Sequence, residues 1–321
     1  MRKKFTCQNM FENLKTYIYL IGAFVFYATA LFYLHFAFQL PFSEFLDIFF
    51  IVGIGFSSIA WLLTKNLAGP FHKPVIKNEG WLLLALILWI VFYITYGGSL
   101  INKLFPRAWL SNPQSASIII FVKKCLVFVL IPFAIYKLSG FTLKDFGLRN
   151  NEVRFPGKKT TLLFALLSIA ALLFQYFLSN GSKPIRSGEF SMLQLLTGLP
   201  LCFVYLIFDA GLIEEFFFRG RLQSRLSVLL ISSVGGIVCT AIIFGLVHTP
   251  GLFLRGAESE GMEEQMPFLF WAAYTIVNMS VAGVFLGIVY SKTKNLWLVI
   301  AIHAMIDLLP NFAEFVQTWH L

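Results

Sequence analysis

The chain has 321 residues, of which 58% are apolar, 17% aromatic and 13% charged, with a mean hydropathy of +0.77. Those proportions exclude a soluble globular domain and point to a polytopic membrane protein. The net charge of +9 invites a nucleic-acid partner, but the basic residues form no compact patch interleaved with base-stacking aromatics, so no nucleic-acid partner is expected.

Backbone facing lipid must satisfy its own hydrogen bonds, and the apolar runs are long and continuous instead of alternating. The expected fold is therefore all-α, a transmembrane helical bundle of about eight or nine spans, and not a barrel. Nine candidate spans are read at 16–40, 45–63, 81–97, 117–136, 160–179, 193–218, 228–248, 268–290 and 296–310, scattered about the ~20 residues that a bilayer core demands. Arg2-Lys3-Lys4 and the small residues Ala28-Thr29-Ala30 resemble parts of a signal peptide, but the apolar run continues through Leu40, so a first helix that stays is expected. Asp47 stands near the start of the second span, and Lys123 and Lys124 near the start of the fourth are expected to snorkel to the interface.

The longest polar stretch, 137–159, holds Leu143-Lys144-Asp145-Phe146-Gly147-Leu148-Arg149 and reads as a short interfacial amphipathic segment. It divides the chain into 1–158, with four spans and basic inner segments, and 159–321, with five. Counted between spans with the N-terminus inside, 18 of the 25 Lys and Arg fall on inner segments and 5 on outer ones, with Lys123 and Lys124 making up the rest. That asymmetry places the N-terminus in the cytoplasm and the chain in the cell membrane. The acidic loop 258–264 is then an outer connection. Cys125, Cys202 and Cys239 lie in spans and Cys7 in the basic N-terminal segment; without a CxxC or pairing pattern, free thiols are expected. His35 and His72 read as packed or loop histidines.

Three blocks of ionisable residues interrupt the last apolar third: Glu214-Glu215-x-x-x-Arg219, Phe244-x-x-x-His248 and His303-x-x-x-Asp307. Charged groups in hydrocarbon cost several kcal/mol, roughly 2.5–3.5 on insertion scales, so those that persist are turned inward and are usually functional. On a helix Glu215 and Arg219 share a face and can neutralise each other, while Glu214 is rotated by about 100° from them. An acid so placed suits general acid or base work. Glu214 and His248 are each 17 residues from Ile231, where Ile231-Ser232-Ser233 offers a turn, so a hairpin there puts them level. His303 lies 9 and 11 residues beyond Lys294 and Lys292, about 14–17 Å at 1.5 Å per residue, a similar depth. Asp307, four residues on, can hold the second nitrogen of that imidazole. Asp209, five residues before Glu214, is a further intramembrane acid with no role legible from the sequence. Gly211, Gly220 and Gly245 fit close helix approach near the blocks.

In that order and with those gaps the three blocks resemble the CPBP family, the CAAX prenyl endoproteases and bacteriocin-processing, or Abi, proteins. The resemblance covers roughly 193–307 and makes 159–321 the expected catalytic core. It implies an intramembrane endopeptidase that hydrolyses a peptide bond near the cytoplasmic face, with Glu214 and His248 activating water. His303 and Asp307 would hold the oxyanion, and Glu215 with Arg219 would form the structural pair. The family often has Asn where this chain has Asp307, which cannot donate to an oxyanion when ionised; orienting His303, or donation from the protonated acid, takes that role instead. Glu214, His248 and His303 are also an acceptable ligand set for a tetrahedral Zn²⁺ with one open position. Without metal the same groups supply base, water orientation and oxyanion donor, and no tightly bound cofactor is the preferred reading. The expected partners are the lipid bilayer and a peptide or protein substrate. The rival is a non-catalytic scaffold or bacteriocin self-immunity protein using the cluster to bind, and a coupled transporter ranks below both because no internal repeat is evident.

Overall fold

The computed structural model describes residues 7–65, 78–138, 157–255 and 266–321. Among them there is no strand, and nine helices are long and apolar enough to span a membrane: α1 Leu14–Phe38, α2 Ser43–Thr64, α3 Glu79–Gly97, α4 Pro113–Leu138, α5 Lys158–Leu178, α6 Met192–Leu229, α7 Ser233–Leu254, α8 Phe268–Thr293 and α9 Leu296–Trp319. The protein is an all-α, multi-pass helical membrane protein. Arg2-Lys3-Lys4, His72, the segment around 143–149 and the loop 258–264 lie outside the described residues.

Four spans depart furthest from their sequence-based bounds. α6 does not stop before Arg219 but runs to Leu229, because Arg219, Arg221 and Arg225 are buried in protein and form no inner loop. Arg225 Nη1 lies 3.0 Å from Glu79 Oε1. The turn to α7 falls where expected, with Ile231 in the left-handed region at φ 50°. α7 starts at Ser233, later than 228, just past Ser232, whose Oγ accepts from the Gly235 N–H. α9 continues past Pro310 to Trp319. α4 starts at Pro113, earlier than 117: Asn112 caps it by accepting from the Ser115 N–H, and Pro at the first helical position needs no donor partner.

Helix contacts group the chain into two compact units, Met1–Ile87 with Arg221–Thr293 and Leu88–Gly220 with Lys294–Leu321. The first has a core of Leu31, Leu34, Phe45, Leu252, Phe270, Trp271 and Val277. Its α7 and α8 pack so closely that a Cβ on Gly245 would stand 2.2 Å from Ser280 Oγ and 2.8 Å from the Thr275 carbonyl, the small-residue contact typical of membrane helices. Here too His35 is a packed residue: its Nδ1 donates to the Leu40 carbonyl at 2.8 Å and its ring stacks on Phe42.

The second unit is built on Cys202, Leu206, Ala304, Leu308, Leu309, Phe312 and Val316. α6 and α9 approach closely at Gly211, where a Cβ would lie 2.8 Å from the Ile300 carbonyl, three residues before His303. α5 grips α9 through buried Gln175, whose amide donates to the Met305 carbonyl at 2.9 Å and accepts from the Leu309 N–H at 3.1 Å. Those are the two groups that an α-helix joins to each other, so the glutamine amide sits on the backbone of α9 beside Asp307 and ahead of Pro310.

Candidate active site

The second unit gathers five of the six ionisable residues singled out from the sequence, together with two others. α6 supplies Asp209, Glu214, Glu215 and Arg219, α9 supplies His303 and Asp307, and α4 supplies Lys124. Two stretches of α6, Ile207–Leu212 and Phe216–Gln223, are wound as π-helix on either side of the glutamates, a wider winding that recurs at functional sites.

Consecutive positions on a helix point about 100° apart, and the two glutamates use that turn to reach different neighbours. Glu215 faces α9. Its Oε1 accepts from Arg219 Nη1 at 2.7 Å, and both side chains are fully buried. The same oxygen lies 2.6 Å from His303 Nδ1. The expected Glu215–Arg219 pair therefore forms, and Glu215 also holds the imidazole. Asp307 Oδ2 stands 3.3 Å from His303 Nε2, so it faces the second nitrogen as the i, i+4 spacing requires, at longer range and on a side chain 30% exposed. The Asp307 carbonyl accepts from Asn311 Nδ2.

Glu214 faces α4. The Lys124 ammonium donates to Asp209 Oδ2 at 2.9 Å and to the Asp209 carbonyl at 3.2 Å, and stands 3.6 Å from Glu214 Oε1. This corrects the expectation that Lys124 snorkels to the interface: with α4 starting at Pro113 the lysine lies 11 residues inside the helix, in the reach of two acids. Lys123 turns the other way and donates to Asn102 Oδ1. Asp209, without a role at the level of sequence, is the principal partner of Lys124. The Asn112-Pro113 capping signal marks the early start of α4 that sets Lys124 inside the helix; nothing in sequence links Lys124 to Asp209.

His248 belongs to the other unit and is described within it. Its Nδ1 lies 2.7 Å from the Phe244 carbonyl, and its ring packs 4.8 Å from that of Phe244. A carbonyl only accepts, so Nδ1 carries the proton and Nε2 is the acceptor of the neutral ring. Phe244 thus positions His248 through both its backbone and its ring.

The chain is thus a polytopic helical membrane protein with carboxylates, an arginine and histidines on its last four spans. Residues 194–309 match the family model described as type II CAAX prenyl endopeptidase, Rce1-like. The chain thus carries an Rce1-like region, the CAAX-protease relationship that its three blocks suggest, and the class of activity that goes with that family is peptide hydrolysis. No curated protein and no solved structure is matched by the chain.

Zinc ligation can be tested on the donors themselves. A metal-bound imidazole presents a lone pair, whereas His303 has a carboxylate oxygen at each ring nitrogen, 2.6 Å and 3.3 Å away. Among the described residues no group of three or more His, Cys, Asp and Glu side chains is placed to hold a metal ion. Held in this way by two carboxylates, His303 presents no lone pair to a zinc ion, and no chemical step is routed through one.

Proposed function

We propose that the protein is an intramembrane endopeptidase that hydrolyses a peptide bond near the cytoplasmic membrane face, with Glu214 as general base on the attacking water. The observation that carries this is the division of labour between the two glutamates. Glu215 holds Arg219 and His303 at 2.7 Å and 2.6 Å on the α9 side, whereas Glu214 stands at a longer range, 3.6 Å, from the Lys124 ammonium on the α4 side. A carboxylate at that range from a cation can take a proton from water and return it to the leaving amine.

His303 supplies the oxyanion donor in this reading. Glu215 holds Nδ1, so the ring cannot turn, and Nε2 has its longer contact on the partly exposed Asp307. An incoming carbonyl oxygen can replace Asp307 at Nε2, and the bond it receives strengthens as negative charge develops. Asp307 therefore orients the imidazole and does not itself donate. His248 enters through the family resemblance, its Nε2 acceptor suited to orienting water. The core 159–321 would carry the catalytic groups. The N-terminus is assigned to the cytoplasm, an orientation that withstands moving Arg219, Arg221 and Arg225 from the inner loop into α6, since 15 inner cations, the earlier 18 less these three, still oppose 5 outer ones.

The family's description makes a prenylated CAAX tail the first substrate class to try. Wild type and Glu214→Gln, purified in detergent, are compared on an internally quenched peptide ending in a farnesylated CAAX sequence, and in cells by their membrane and secreted peptidomes. Wild type is expected to release peptides that Glu214→Gln does not. A folded Glu214→Gln that releases the same peptides at the same rate would sink the assignment and favour a binding role for the cluster.

A further inference from the structure

Lys124 lies on α4, outside the residues 194–309 that match the family model, and none of the three blocks includes it. A lysine about 16 Å along a membrane helix, 11 residues at 1.5 Å each, is costly and calls for buried anionic partners. Asp209 alone would meet that need through its carboxylate and its carbonyl at 2.9 Å and 3.2 Å. The ammonium nevertheless also stands 3.6 Å from Glu214. Residues five apart on an α-helix point about 140° away from each other. Part of the path between them, Ile207–Leu212, is π-wound, a wider winding that turns less per residue and so narrows that angle.

The register of α4 on α6 is fixed on both sides of the lysine. Ser117 Oγ and Tyr205 Oη are 2.9 Å apart on one side. On the other, the Phe128 ring packs 5.5 Å and 5.9 Å from those of Phe217 and Phe218. Partners advance together along both helices, so α4 and α6 run parallel here and the ammonium is held between two packed contacts. From this we infer that Lys124 is a positioning residue of the peptidase site, an intramembrane cation braced by Asp209 that holds the Glu214 carboxylate in its working orientation. The inference rests on the reading of Glu214 as general base. It makes the fourth span, and not only the matched region, part of the catalytic apparatus.

The test uses the whole chain in detergent, the farnesylated CAAX peptide, and four forms: wild type, Lys124→Arg, Lys124→Met, and Lys124→Met with Asp209→Asn. Lys124→Met should lower kcat by roughly 10- to 100-fold, the scale on which a displaced group costs rate, with KM within about twofold. Lys124→Arg should restore most of that loss. The double variant separates positioning from packing, since it removes the buried aspartate charge that Lys124→Met leaves behind. If Lys124 serves Glu214, the double variant regains thermal stability while kcat stays low. Recovery of wild-type kcat in the double variant would overturn the inference, showing that only the Asp209 charge had mattered. A Lys124→Met that turns over like wild type, beside an inactive Glu214→Gln, would overturn it as well and leave the peptidase reading standing. A wild type as inactive as Glu214→Gln, on the probe and in membranes, would remove the peptidase reading itself and this inference with it.

Discussion

Adjacent glutamates with opposite commitments should respond oppositely to the same one-atom change. Glu215→Gln keeps the shape of the side chain but removes the charge from an oxygen that faces Arg219 Nη1 at 2.7 Å and His303 Nδ1 at 2.6 Å. Arg219 and Glu215 are both fully buried, and removing one partner of a buried pair costs about 3–5 kcal/mol, because the other charge keeps its desolvation penalty. For a chain of this size each kcal/mol lowers the melting temperature by about 2 °C, so a fall of roughly 6–10 °C is expected. Glu214→Gln keeps the shape of the side chain and weakens a longer, 3.6 Å contact to a lysine that is 24% exposed and keeps Asp209. That cost should stay under about 1 kcal/mol, a shift within about 2 °C. Fluorescence-monitored thermal unfolding of both variants in one detergent, beside cleavage of the quenched peptide, reads the two effects separately. Glu214→Gln should be inactive and nearly as stable as wild type, whereas Glu215→Gln should be inactive and unstable. A Glu215→Gln that melts within about 2 °C of wild type, or a Glu214→Gln that melts as low as its neighbour, would refute the division.

The donor pattern around His303 predicts that pure protein holds zinc far below one equivalent and that a chelator leaves cleavage unchanged. Stoichiometric zinc by elemental analysis, lost in His248→Ala, would reverse that conclusion. Gly245→Val puts a side chain where 2.2 Å separates a bare Cβ from Ser280 Oγ; forcing α7 from α8 should cost about 1–3 kcal/mol, seen as a lower melting temperature. Ile231 is a β-branched residue at φ 50° in the α6–α7 turn, so Ile231→Gly should raise stability by about 1 kcal/mol, and a loss of stability there would mean that its side chain contributes more than the strain removes.

What could be read from the sequence were relations within one turn of one helix. The i, i+4 spacings predicted Glu215 with Arg219 and His303 with Asp307, and both pairs are within 3.3 Å. Composition and run length predicted nine helices, and Ile231 marked a real turn. Helix arithmetic estimates depth along a span, but it does not say which neighbour a face meets. The contacts Lys124–Asp209 and His303–Glu215, 85 and 88 residues apart in sequence, therefore stayed out of reach. So did the contact of Gln175 with the backbone of α9, because a glutamine in an apolar span carries no mark of its partner. The start of α4 is a different case: Asn112-Pro113 is a capping signal in the sequence, and it sets Lys124 11 residues inside the helix.

The arrangement on α6 shows why a glutamate pair is useful at such a site. One carboxylate there would have to satisfy a buried arginine and histidine and also remain available to water, and these are incompatible, since each short charge-assisted bond lowers its capacity to accept a proton. Two consecutive carboxylates escape the conflict because a helix turns about 100° per residue. Glu215 takes the strong bonds on the α9 side and thereby fixes the His303 ring, while Glu214 on the α4 side meets its cation at 3.6 Å. Bringing Asp209 into line to brace Lys124 then requires residues five apart to lie closer in angle than an α-helix sets them, and the π-wound stretch Ile207–Leu212 turns them part of the way. On this argument the irregular winding of α6 and the lysine of α4 are consequences of one requirement, a base held in place without being consumed by its partners.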